Sequence, residues 1–350
     1  MTPFRLAGAF ALVAFPAVAM AQFVPTAPTT SVQLYGRVDL SVNQVRTDGP
    51  VGSRTTVSSD TSLLGFRGVE DLGGGNLAYL KLEHGLAVDT GLPASATFWN
   101  RETFVGLRSP TLGAIELGTF FSPFIWITGK TDPFARAMMG AQLALLQGSA
   151  VRGYAPTYLN SVLYAAPKLG NVTVRLVGRL GEGMDNKNAA ASIEYAKDRV
   201  YVGMAFESVQ VTAASVNSSR SGTVRARTAG LGATYRFDAL RLFGYYQRNT
   251  AAGAAGASGY LLGITVPAGS GEIRASVVGN RRSTGDATQA ALGYWYPLSR
   301  RTALYGSVGS ISNDGSAAFS LWPARQDPGA PAQAGGLDVR GMQVGMRHTF

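Results

Sequence analysis

The sequence predicts an all-β protein: a transmembrane antiparallel β-barrel of sixteen strands, with a long third loop folded into its lumen. Three observations predict it. Short segments of alternating apolar and polar residues recur from Ser31 to Phe350. The chain opens with an export signal. After that signal, no apolar run approaches the ~20 residues that a membrane-spanning helix needs.

The signal occupies residues 1–21. Arg5 precedes an apolar run from Leu6 to Val18, and Ala19, Met20 and Ala21 form an A-x-A-like cleavage site before Gln22. The run is too short for a transmembrane anchor. The mature chain is then 22–350, read as one barrel domain.

The first strand is the clearest. In Ser31–Val42, the residues Val32, Leu34, Gly36, Val38, Leu40 and Val42 share one face. Gln33, Tyr35, Arg37, Asp39 and Ser41 share the other. This period of two is that of a strand, not a helix. Similar segments follow at 60–70, 75–86, 99–108, 113–120, 159–166, 171–181, 189–196, 199–209, 224–236, 239–249, 258–267, 271–281, 287–297 and 301–312. The last runs from 338 to 350, where Met342, Val344, Met346, His348 and Phe350 share a face. Those ten final residues would also suit a soluble sandwich. A terminal strand frays unless a sheet holds it, and pairing with Ser31–Val42 would close a barrel.

Connections alternate in length. Short turns such as 71–75, 109–113 and 197–198 face longer loops near 43–59, 86–98, 121–158, 209–223 and 313–337. That asymmetry marks an outer-membrane barrel. The loop 121–158 is the longest, and its stretch FARAMMGAQLALLQG suits a short helix. Loops of this length are usually functional. Its apolar content suits the lumen better than open water.

Composition bounds the rest. Glycine is abundant at 44 residues and charged residues reach only 15%, which suits strands with one face to lipid and one to water. A soluble secreted all-β chain has the same composition. There is no cysteine, so disulfide scaffolds and thiolate metal sites are excluded. His84 and His348 are the only histidines, too few for a histidine-based catalytic or metal site, and no cofactor is expected. The net charge of +10 comes mostly from arginines scattered singly, which argues against a nucleic-acid face and for charges spread over a lumen and rim. The string ending in GKT at Thr131 lacks the first glycine of a P-loop, because Phe124 stands there. Glu83 and Glu116 invite comparison with a glycosidase pair, but lumen carboxylates are the commoner case.

The segments SVQLYGRVDLSV, TSLLGFRGVEDLGGGNLAYLKLE, FWNRETFVGL, NSVLYAAPKLGNV, RRTALYGSVG and GMQVGMRHTF occur in this order. They resemble the general porins of β-proteobacterial outer membranes, of the Neisseria, Bordetella and Comamonas type. The resemblance implies a homotrimer, an inward third loop that narrows the pore, and a basic wall opposite it. Arg37, Arg67 and Arg101 match basic positions of that wall, and Glu83 matches a lumen acid. Leu63, Thr119, Thr157 and Leu159 stand at or beside positions where the family usually carries arginine. The loop brings one acid, Asp132, with Arg136 and Arg152. A C-terminal aromatic, here Phe350, is in the family the signal read by the outer-membrane insertion machinery.

The expected function is passive diffusion of small hydrophilic solutes and inorganic anions through a water-filled channel, with a weak preference for anions. The protein is expected to be no enzyme, and to meet outer-membrane lipid and lipopolysaccharide but no nucleic acid. A solute-selective anion channel for dicarboxylates or phosphates remains the alternative. By alternation, Tyr35, Arg37, Asp39, Arg67, Lys81, Glu83, Arg101, Glu116, Arg175, Arg179 and Arg347 line the lumen, with Glu194 and Glu207. Arg101 is expected to be the strongest remaining constriction cation.

Overall fold

A computed structural model describes residues 30–147, 154–181, 188–322 and 334–350. The expected signal peptide and Arg152 lie outside these residues.

The strands run in chain order: β1 Ser31–Thr47, β2 Gly52–Ser59, β3 Leu63–Gly73, β4 Asn76–Ala87, β5 Leu92–Pro93, β6 Thr103–Ser109, β7 Gly113–Phe121, β8 Thr157–Ala165 and β9 Val172–Arg179. They continue as β10 Ala189–Lys197, β11 Val200–Thr212, β12 Thr223–Arg236, β13 Arg241–Ala251, β14 Ala257–Ala268, β15 Gly271–Arg282, β16 Ala287–Pro297, β17 Thr302–Asn313 and β18 Val339–Thr349. All pairings are antiparallel between neighbours. β2 and β3 are two halves of one stave, since β2 pairs with Leu40–Thr47 of β1 and β3 with Ser31–Arg37. β5 is a short ribbon on the end of β4. Sixteen staves therefore close the barrel.

Closure joins β1 to β18. The register sets Asp39 against Arg347 and Val42 against Val344. The partner expected for the last strand, Ser31–Val42, is displaced along β1. The pairing runs over Arg37–Thr47 instead, and leaves the start of β1 to β3 alone. The reason lies in the expected loop 43–59, most of which is strand. Above the lipid band both faces of β1 and β2 turn polar, as in Asn43, Gln44, Arg54 and Thr55, so the hydrophobic alternation fades while the hydrogen-bond ladder continues.

The outer wall is apolar. Leu34, Val42, Leu176, Met204, Leu262, Val308 and Val344 are all exposed there. Beside the short turns, Tyr195, Tyr235, Phe237, Tyr294, Tyr296 and Phe350 are exposed as well, which gives the aromatic girdle of a membrane interface.

The inner wall carries the segment 122–147. Its helix is α1, Pro123–Thr131, capped by Ser122, whose hydroxyl accepts from the Phe124 N–H, with proline in the first turn. The helix expected at FARAMMGAQLALLQG reduces to one turn, α2, Leu143–Leu146. Ala135, Arg136 and Met138 take positive φ there, and the Asp132 carboxylate captures the N–H groups of Phe134, Arg136 and Gln142. Both features oppose a continuous helix.

Inward-facing glycines make the seat for this segment. A Cβ on Gly230 would lie 2.7 Å from Phe124, on Gly232 2.8 Å from Thr131, and on Gly259 would run into Leu146. The barrel wall also hydrogen-bonds the segment's backbone: Asn280 Nδ2 donates to Leu145 O at 2.8 Å, Gln289 Nε2 to Met139 O at 3.0 Å, and Met139 N–H to Gln343 Oε1 at 3.1 Å. Phe124, Ile127, Phe134, Leu145 and Leu146 are fully buried by this packing. Each contributes about 1.5–3 kcal/mol of apolar burial. A second inward contact comes from Leu321, beyond β17, which is buried near Met139, and Phe319 is buried as well.

Candidate pore lining and constriction

The polar inner wall is organised into clusters. At the seam, Asp39 is fully buried and accepts from Arg347 Nη2 at 2.6 Å, Arg347 Nε at 2.9 Å and Thr61 Oγ1 at 2.7 Å. The Tyr305 hydroxyl lies 2.7 Å from Asp39 Oδ1 and 3.2 Å from Asp60 Oδ2. Asp60 stands in the bend between β2 and β3 and also accepts from Gln343 Nε2 at 2.8 Å. One pleat toward the short turns, Arg37 donates its Nε to Thr61 O at 2.9 Å. Arg37 makes no ion pair with any described residue.

The second cluster spans β1, β4 and the run into β6. Glu83 accepts from Lys81 Nζ at 3.0 Å, from the Tyr35 hydroxyl at 3.1 Å and from Arg101 Nε. Lys81 also meets Glu102 at 2.6 Å. The Arg101 guanidinium carbon lies 5.0 Å from the Phe121 ring centroid, a cation–π contact. Arg67 sits nearer the short turns, with Nε 2.7 Å from Gln33 Oε1 and its guanidinium 5.3 Å from the Tyr35 ring centroid. Arg37 and Arg101 thus share one stretch of wall, and Arg67 lies below it.

A third cluster ties the inward segment to β9 and β10. Glu194 accepts from Arg175 Nη1, from Lys130 Nζ of α1 at 2.5 Å and from the Tyr201 hydroxyl at 2.8 Å. Glu207 ties together the two ends of the loop 121–158, accepting from Ala155 N–H at 2.9 Å and Ser122 Oγ at 3.4 Å, with the Tyr158 hydroxyl at 3.0 Å. Glu116 is fully buried and takes the Tyr79 hydroxyl at 2.6 Å. Arg179 faces inward at the end of β9, half-buried.

Apart from Lys130, the described charges of the loop are spent internally. Asp132 accepts from the N–H groups of Phe134 and Gln142, both at 2.9 Å, and of Arg136 at 3.3 Å. Burial pushes its carboxyl up to about 6, although those N–H donors pull the other way. Arg136 donates to Thr128 Oγ1 at 2.6 Å, and to Tyr154 and Gln147. Neither presents an open charge to the wall.

Sequence reasoning missed Glu102, Asp60 and Lys130. Arg101 and Glu102 are consecutive yet both meet inner-wall partners, because they precede the start of β6 and escape its alternation. Asp60 stands in a bend where alternation also lapses. Lys130 lies in the GKT string, whose helix was not foreseen. The Ser122-Pro123 pair was a readable start signal for that helix.

The chain matches the family model described as Gram-negative porin over residues 8–316. It is 30% identical to outer membrane porin protein 32 of Delftia acidovorans, over 98% of both chains. It is 25% identical to an outer membrane porin protein of Bordetella pertussis, over 79% of this chain and 87% of the relative. Among solved structures, the anion-selective porin from Comamonas acidovorans superposes with a TM-score of 0.79 at 26% identity, covering 92% of this chain and 100% of the other. A closed sixteen-stave barrel with an apolar outer wall, a charged inner wall and these relatives is an outer-membrane channel: the chain belongs to the Gram-negative porin family.

Proposed function

We propose that this porin is a trimeric passive channel with a weak preference for anions, narrowed by the segment 122–147 lying against one side of the lumen. One observation carries the preference. The wall acids Asp39, Glu83, Glu102 and Glu194 each have a cationic partner, and Asp60, Glu116 and Glu207, which have none, are buried under hydroxyl and N–H donors, while Arg37 has no acidic partner among the described residues. An unpaired charge in a partly buried wall projects a positive potential into the adjacent water, with less screening than a surface charge. Arg101, favoured from sequence, has its guanidinium engaged by Glu83. Asp132 adds no open negative charge opposite. The anion selectivity named for the Comamonas acidovorans relative supports the same reading. The assembly as a trimer and the role of Phe350 as insertion signal rest on the family.

The test is the zero-current potential of the purified wild-type channel in a planar bilayer with a KCl gradient at low salt. Chloride preference that fades as salt rises is the expected result, since the Debye length shrinks from ~10 Å at 0.1 M to ~3 Å at 1 M. Potassium preference rejects the proposal.

A further inference from the structure

Trp295 stands on the inner wall of β16, in parity with Gly293 and Gln289, which both meet the inward segment. It lies one pleat closer to the short turns than Gly293. The residue is half-buried and packs on a cluster of Phe134, Ala137, Met138 and Tyr305. Tyr305 stacks on it, with ring centroids 5.7 Å apart and planes 4° apart. Two guanidinium groups reach the same indole from strands on either side of β16. Arg274 of β15 lies 4.8 Å from its ring centroid, and Arg347 of β18 lies 4.9 Å away.

Both cations already have a carboxylate, but they are not equivalent. Arg347 is buried, and its Nε and Nη2 both serve Asp39. Arg274 is half-buried and spends only Nε, at 3.0 Å from Glu272 Oε1. Its two terminal amino groups have no hydrogen-bond partner among the described residues. A paired cation is a weak site for a bare inorganic anion, because the partner charge cancels much of its field. A solute held here needs a second contact, and the indole offers one. Rings beside cations recur on this wall, with Arg67 over Tyr35, Arg101 over Phe121 and Arg241 over Phe243. Among the described rings, Trp295 alone carries two cations.

We infer that Arg274 and Trp295 form a subsite for planar aromatic monocarboxylates inside the pore. The carboxylate accepts from the two terminal amino groups of Arg274, the fork geometry in which guanidinium binds carboxylate best. The attached ring lies against the part of the indole that Tyr305 and the inward segment leave uncovered. Aromatic rings attract one another in offset and edge-to-face arrangements, beyond the area that they bury. A saturated acid of the same charge and similar size reaches Arg274 equally well but brings no π-face. A chloride ion brings neither contact. Arg274 therefore binds the acid group, and Trp295 determines which acids are favoured. The inference rests on the anion-preferring channel proposed above and names a class of solute for it.

The experiment records the purified full-length porin in a planar bilayer at neutral pH and low KCl. Benzoate or cyclohexanecarboxylate is added, and the concentration that halves the chloride current is read for each. Wild type should be half-blocked by benzoate at about fivefold lower concentration, the factor that one aromatic contact contributes. Trp295→Leu should bring the two acids together. Trp295→Phe, which keeps a ring, should retain most of the difference, and so should Tyr296→Leu on the outer face of the same strand. Arg274→Gln should raise both half-blocking concentrations. Equal block of wild type by the two acids would overturn the inference, and this comparison needs no variant. A full benzoate advantage in Trp295→Leu would overturn it too, by placing the ring contact elsewhere. The zero-current potential of the same wild-type membranes separates the two readings. Potassium preference rejects the anion-preferring channel and this inference with it, whereas chloride preference with equal block by both acids rejects this inference alone.

Discussion

Arg347 of the last strand grips Asp39 of the first, with Nη2 and Nε at 2.6 and 2.9 Å from one carboxylate oxygen. The pair stands in register across the seam that closes the barrel. Removing one partner of a buried ion pair leaves the other charged and unpaired, at a cost of about 3–5 kcal/mol, and lumen water reduces that figure here. Arg347→Met should lower the temperature at which the folded band collapses in heat-modifiable gels. Adding Asp39→Asn should restore part of the loss. A single variant as stable as wild type would show that the seam does not depend on this pair.

The backbone of Phe350 exchanges two hydrogen bonds with Gly36, each at 3.1 Å. Its ring lies over that glycine, where an added Cβ would run into Phe350 Cζ. Deleting Phe350 opens these groups to lipid, where each unsatisfied one costs several kcal/mol. Folded porin in outer-membrane fractions should fall sharply, and Gly36→Val should fall in the same direction by displacing the ring. Conductance per inserted channel should stay near wild type, since neither change touches a lumen residue. Normal amounts of folded protein from both variants would count against this role.

The glycine seat of the inward segment gives a second structural expectation. Gly232→Val would press on Thr131 and Ile127, whereas Gly244→Val meets nothing within 4 Å. Overpacking typically costs about 1–3 kcal/mol. The Gly232 variant should show altered, noisier single-channel conductance from a displaced segment, and the Gly244 variant should not. Identical traces would mean that the segment is not held by this contact.

Asp132 should make the segment pH-sensitive. Burial raises its carboxyl to about 6, so the folded state favours the neutral acid. The stabilisation is fully present below the ordinary carboxylate range, near ~4, and is lost as pH rises through about 6. Thermal stability measured from pH 7 down to pH 5 should rise more in wild type than in Asp132→Asn. Parallel pH curves for the two proteins would refute the assignment.

Much of the barrel was legible because lipid and water impose a period of two. Ser31–Val42 and the final ten residues announced their faces directly. Legibility stopped where that boundary condition stops. Beyond the lipid band, Asn43 to Thr47 keep their ladder without an apolar face. In the inward segment, three positive-φ residues and one capping carboxylate decide the path, and neither follows from hydropathy. The lumen residues Arg37, Asp39, Glu83 and Arg347 were readable by parity alone. Their partners were not, because Thr61, Tyr305 and Glu102 reach them across strands or from bends.

The most direct measurement compares the zero-current potential of wild type and Arg37→Ala in a KCl gradient at low salt, with Arg301→Ala at a short turn as reference. Wild type and Arg301→Ala should both favour chloride, and Arg37→Ala should lose most of that preference. An Arg37→Ala channel as chloride-preferring as wild type would contradict the account.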